Sequence, residues 1–367
     1  MVKLKGMQQM YLTQDDRKRM AGDLLTIGFD GQTLSPELKE VLRETQAAGI
    51  ILFKRNIESV EQVVELNREL KAFRPERPLS LAIDHEGGRV MRMDRPVIQW
   101  PPMMNVGTYD DLTLTQAVGK AMGHELRSLG FDIDFAPVLD VHTNPGNPVI
   151  GDRAFSTKPH QVGKHGLAFW QGLSSAGVGG CGKHFPGHGD TAQDSHLELP
   201  TLTHCLERLR EIEWPPFHQA IQGGLDAIMT AHVLFPELDE SHPATFSKEI
   251  LDILRDELNF EGLIISDDLE MKAAAERYTY EEMPILGLNA GVEHFLICQK
   301  PEPILEVYRG IILGIEQEKI SHQTLFEASK SSREWLDRWT KPKVDPTKWR
   351  DIVGHEMFAA LCTKLQN

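Results

Sequence analysis

Short apolar runs recur along the chain, each closed by a glycine or a polar residue. They are LLTIGF (24–29), GIILF (49–53), LSLAID (79–84), DIDFAP (132–137), CGKHF (181–185), AIMTAH (227–232), GLIISD (262–267) and HFLIC (294–298). Their mostly continuous apolar character predicts strands buried on both faces, as in a parallel sheet. Between them apolar residues return at helical period. Ser35 before Pro36 reads as an N-cap before a first-turn proline, and Ser59 with Gln62 as a capping box. Further helical patterns cover 111–130, 160–177, 202–214, 247–260 and 303–317. Two more follow the eighth strand, at 321–340 and about 346–365, with Pro342 and Pro346 marking a linker between them.

Eight strands alternating with helices predict an α/β fold, a (β/α)8 TIM-type barrel. The expected division is a single catalytic domain, 1–340, and a C-terminal helical extension, 341–367, packed on the barrel. A doubly wound sheet is the rival. The chain has one G-x-G-x-x-G, at Gly177, Gly179 and Gly182, but it precedes a strand instead of following one, so the dinucleotide reading fails on context.

Composition narrows the function classes. The 367 residues carry 54 acidic and 39 basic side chains, a formal charge of −15, which argues against nucleic acid or an anionic membrane surface as partner. No run approaches the roughly 18 apolar residues of a membrane span. The opening MVKLKGMQQMYLTQDDRKRM has no apolar core of a signal peptide, so a cytoplasmic location is expected. Cys181, Cys205, Cys298 and Cys362 form no C-x-x-C pair, which suits reduced thiols.

In such a barrel the chemistry sits at the C-terminal ends of the strands. Ionisable residues gather at five of those ends. Asp84 runs into His85-Glu86-Gly87-Gly88-Arg89, and Asp134 leads to Gly151-Asp152-Arg153. Lys183-His184 opens a loop through His188, Asp190, Asp194 and His196, while His232 and Ser266-Asp267-Asp268 end later strands. Side chains alternate across a strand, so Asp267 and Asp268 are expected on opposite faces. One reads either as a helix cap or as a carboxylate nucleophile at the mouth. Asp194 and His196, two apart, can pair a carboxylate with an imidazole and raise its basicity. Alternatively the loop is structural, with buried, hydrogen-bonded histidines. Pro186 and Gly187 forbid the helix that a zinc pair such as His184 and His188 would need, so no metal is expected. Asp84, Arg89, Arg153, Lys183 and His184 suit a hydroxyl-rich ligand, with phosphate as competitor.

Four pieces together resemble the signature of glycoside hydrolase family 3, in its β-N-acetylglucosaminidase (β-hexosaminidase, NagZ-type) branch. They are Asp84 to Arg89, Gly151 to Phe155, Lys183 to Pro200 and Ser266 to Leu269, within a similarity spanning roughly 24–300. The resemblance implies a retaining exo-β-N-acetylglucosaminidase, acting on cell-wall muropeptides. It implies Asp267 as nucleophile, His196 paired with Asp194 as general acid/base, and Asp84, Arg153, Lys183 and His184, with Arg92 more weakly, as holders of the sugar. No cofactor is implied, the partner is a small sugar or muropeptide, and a monomer is expected. His85 stands where the family commonly has glutamine, and Glu293-His294 and Gln299 also depart from its pattern. A phosphorylase, a β-glucosidase on the same scaffold and a non-catalytic sugar-binding protein are the alternatives.

Overall fold

The computed structural model describes residues 12–195, 198–340 and 348–366. His196 and the linker at 341–347, with Pro342 and Pro346, lie outside the described residues.

All eight expected strands form. They are β1 (Leu25–Ile27), β2 (Gly49–Leu52), β3 (Ser80–Ile83), β4 (Ile133–Asp134), β5 in two pieces (Gly179–Gly180 and Gly182–Phe185), β6 (Ala227–Thr230), β7 (Leu263–Asp268) and β8 (His294–Ile297). Every pairing between them is parallel, and the order runs β5-β4-β3-β2-β1-β8-β7-β6-β5. The first piece of β5 pairs with β4 and the second with β6, so the sheet closes on itself as a (β/α)8 barrel. A short antiparallel ribbon, His85–Gly87 against Val90–Met91, stands beyond the end of β3.

The helices start where the sequence supplies caps. Ser35 Oγ accepts from Leu38 N ahead of Pro36–Thr45, and Ser59 Oγ accepts from Gln62 N ahead of Val60–Ala72. The Gln62 amide reaches one residue further back than a capping box requires, accepting from Glu58 N at 3.0 Å. After β8 come Pro301–Glu316 and His322–Thr340, then the C-terminal helices Trp349–Ile352 and Glu356–Gln366. The last of these meets the barrel where Tyr109 Oη donates to the Lys364 carbonyl at 2.7 Å.

Helix His322–Thr340 plugs one end of the barrel. Its Trp335, Leu336 and Trp339 join the inward side chains Ile51, Phe135, Met229, Ile265 and Leu296 in one apolar cluster. The barrel interior is thus a packed core. Trp339 comes so close to β5 that a Cβ on Gly179 would lie 2.7 Å from its ring. Within the G-x-G-x-x-G run, Gly179 thus makes room for Trp339, and Gly182 for Leu139 and Leu225.

Candidate active site

The opposite end, where the strands finish, opens on a cavity of about 280 Å³. The apolar core forms its floor through Ile51, Phe135, Met229 and Leu296. Asp84, Arg92, Arg153, Lys183, His184, Asp194 and Asp267 all line it. Every expected site residue among the described ones is therefore brought to one place. His196, the expected partner of Asp194, lies outside the described residues.

The wall is a chain of alternating charge. Lys183 Nζ donates to Asp84 Oδ1 at 2.9 Å and to Glu86 Oε1 at 2.6 Å. Arg153 meets Glu86 through two bonds of 2.8 Å, and Arg92 meets Asp84 Oδ2 at 3.2 Å. Burial alone would raise the Asp84 and Glu86 carboxyls, but the Lys183, Arg92 and Arg153 cations outweigh it and hold both below the usual range. Lys183 and Arg153 are buried too, yet the facing carboxylates raise both above their ordinary values. A permanently ionised, hydrogen-bonded frame results, suited to gripping hydroxyl groups by charge-assisted bonds. Sequence reasoning alone does not single out Glu86. Its one signal is its place within the Asp84–Arg89 run, where the neighbouring Asp84 and Arg89 draw the functional reading.

Arg89 departs from expectation. It donates to the carbonyls of Pro148, Val149 and Ile150 and, at 3.2 Å, to Asp152. Its guanidinium fastens the loop that carries Arg153, although Arg89 also touches the cavity.

Two adjacent pairs reach the cavity where strand register shifts. Asp267 and Asp268 both touch the cavity, and the register of β7 against β8 shifts between Ile265 and Asp268. Lys183 and His184 do the same, and β5 shifts register between Lys183 and Phe185. Such irregularities re-aim side chains. The two aspartates still differ. Asp268 Oδ1 accepts from Glu270 N and Cys298 N, at 3.0 and 3.1 Å, which ties it to the end of β8. Burial, and next the Asp267 charge among the raising influences, push Asp268 up to about 6. Asp267 Oδ1 accepts from the Asp268 amide at 2.8 Å.

His184 is steered by a residue that sequence reasoning misses. Asp140 Oδ2 lies 2.7 Å from His184 Nδ1, which places a proton on that nitrogen. Asp140 sits in FAPVLDVHTN, a stretch with no motif context. Among the described residues, no three His, Cys, Asp or Glu side chains gather as a metal set. No helix among them is long and apolar enough to cross a membrane.

Residues 8–330 match the family model of the glycosyl hydrolase family 3 N-terminal domain. The chain belongs to glycoside hydrolase family 3. It is 39% identical over 284 residues to a β-hexosaminidase of Methylococcus capsulatus, covering 77% of this chain and 84% of that one. With the β-hexosaminidase of Idiomarina loihiensis it shares 38% over 321 residues, covering 86% and 96%. Among solved structures it is similar to NagZ of Neisseria gonorrhoeae in complex with N-trifluoroacetyl-D-glucosamine. There the TM-score is 0.78 at 32% identity, over 94% of this chain and 97% of that one. A family 3 β-N-acetylglucosaminidase of a Paenibacillus species gives a TM-score of 0.87 at 34% identity, over 96% and 69%.

Proposed function

We propose that the chain is a retaining, exo-acting β-N-acetylglucosaminidase that removes terminal N-acetylglucosamine from cell-wall muropeptides (GlcNAc-1,6-anhydroMurNAc) during peptidoglycan recycling. The cavity carries this reading. At about 280 Å³ it sits near the lower limit of small-molecule sites, about 300 Å³, and so suits one sugar ring at a time. Its ionised wall of Asp84, Lys183, Glu86 and Arg153 supplies acceptors and donors for hydroxyls, and Asp267 stands beside it. The names of the related β-hexosaminidases and of the sugar-bound NagZ support the choice of N-acetylglucosamine.

The roles follow the family resemblance. The Asp267 carboxylate attacks the anomeric carbon as the bond to the leaving oxygen breaks. A proton from His196, paired with Asp194, goes to that oxygen. Water then attacks the same carbon, gives its proton to His196, and the Asp267 carboxylate departs. Two inversions return the original configuration. Asp84, Arg92, Arg153, Lys183 and His184 hold the sugar meanwhile. We place the reaction in the cytoplasm, a reading supported by four free cysteines. We read 1–340 as the catalytic domain and 341–367 as its extension.

Proton NMR of the first product tests the mechanism. The β-anomer of free N-acetylglucosamine should form first, with or without phosphate. The α-anomer would overturn retention, and a sugar 1-phosphate would make the enzyme a phosphorylase.

A further inference from the structure

The loop after β5 contains a histidine that the mechanism above does not use. His188 is held at three points. Its backbone N–H donates to Asp140 Oδ1 at 2.7 Å. Its Nδ1 lies 2.8 Å from Thr191 Oγ1, and its Nε2 lies 3.0 Å from Ser195 Oγ. Asp140, His188, Thr191 and Ser195 are each no more than 2% exposed.

Thr191 Oγ1 donates its one proton to the His188 carbonyl, at 3.1 Å. Towards the imidazole it is therefore an acceptor, so His188 carries its proton on Nδ1. Nε2 is then a lone pair, and Ser195 Oγ–H donates to it. Asn147 Nδ2 donates to the same Thr191 oxygen at 3.2 Å and to the His188 carbonyl at 2.8 Å, which braces the arrangement. Burial, and next His184, hold the ring down to about 4, so it stays neutral as this pattern requires.

We propose that His188 is a positioning residue for the glycosidase reaction: its single tautomer latches Ser195, and so fixes the chain directly after Asp194. Asp140 joins that latch to the sugar wall, because its other oxygen holds His184 Nδ1. One buried carboxylate thus links a sugar-holding residue to Ser195 through His188. The inference rests on the assignment of Asp194 and His196 proposed above.

The test compares kcat/KM on two substrates, N,N′-diacetylchitobiose, whose leaving group needs a proton, and a 2,4-dinitrophenyl N-acetyl-β-glucosaminide, whose leaving group does not. His188→Leu and Ser195→Ala should each lower kcat/KM on the first by about 10–100-fold, the scale of a misplaced acid, and on the second by less than about 3-fold. The double variant should be no worse than the more impaired single variant, because both break one latch. Ser195→Thr, which keeps the hydroxyl, and His188→Gln, whose amide oxygen can accept from Ser195, should recover part of the loss. Equal losses on both substrates, or none, would overturn the latch. If His188→Leu does not fold, the Ser195→Ala and Ser195→Thr pair decides the matter alone. His196→Ala is measured alongside. Leaving-group dependence there but not in the latch variants sinks the latch and leaves the acid/base assignment standing. Its absence in His196→Ala sinks both.

Discussion

The two ends of the barrel handle buried polar groups differently. At the plugged end they are met locally, in separate small sets. His294 stands between Thr26 and Ser332, 2.8 Å from each hydroxyl, and Ser332 in turn donates to the Asp23 carbonyl. Asp226 accepts from the Trp335 indole at 3.1 Å and from Arg338. Asp132 is matched by Lys71 and Arg127. At the open end Asp84, Glu86, Asp267 and Asp268 crowd one cavity, balanced by Lys183, Arg92 and Arg153. Burying so many charges together is a costly way to hold a fold. The plugged end buries the Arg127–Asp132 ion pair as well, but in a set separate from the neutral His294 imidazole. The open end gathers its charges around one cavity, and the plugged end disperses them around an apolar plug.

That contrast can be broken at several points. The largest effect is expected at the mouth: Asp267→Ala should lower turnover on the order of 10⁴-fold, with an unchanged thermal midpoint. A loss of folding instead would make Asp267 a structural residue. At the other end Trp339→Ala should cost about 3–5 kcal/mol in denaturant unfolding, while kcat/KM of the folded enzyme stays within a factor of about two. A selective loss of activity would show that the plug serves the site. Glu86→Gln tests the wall itself. Removing one charge from a buried frame should cost about 3 kcal/mol of stability and also raise KM, since Arg153 and Lys183 lose their common partner. Unchanged stability and KM would take Glu86 out of the frame.

The most gradual effect concerns pH. His294 is held down to about 3 by burial, against an ordinary 6.5 when unfolded. Between those values the unfolded chain binds the proton and the folded chain does not. Its contribution is therefore complete above about 6.5 and declines as pH falls towards 3. The slope is at most about 1.4 kcal/mol per pH unit for one such group. His294→Gln should flatten the wild-type stability curve across that window. An identical slope in both proteins would remove His294 from the account.

Much of this is legible in the sequence, for identifiable reasons. Strands buried on both faces leave continuous apolar runs, so all eight strands can be read directly. The helices with strong caps or long periods are equally plain. Pro215–Gln222 and Glu282–Ala290 escape such a reading, because each is short and carries proline in its first turn. The segment Leu206–Glu213 changes to a π-helix at Leu209, which no periodicity reveals. Within the site, residues at strand ends declare themselves by charge. The tie of Asp268 to the end of β8 does not, because its partner lies 30 residues away in sequence. Asp140 is hidden for a related reason. Its role exists only where the segment after β4 meets the turn after β5, across 44 residues of sequence to His184.

The most direct measurement is release of nitrophenol from 4-nitrophenyl N-acetyl-β-D-glucosaminide, with the matching β-glucoside in parallel and Asp267→Ala as control. The account predicts hydrolysis of the N-acetylglucosaminide alone, lost in the variant. Hydrolysis of the glucoside in its place, or full activity in Asp267→Ala, would contradict it.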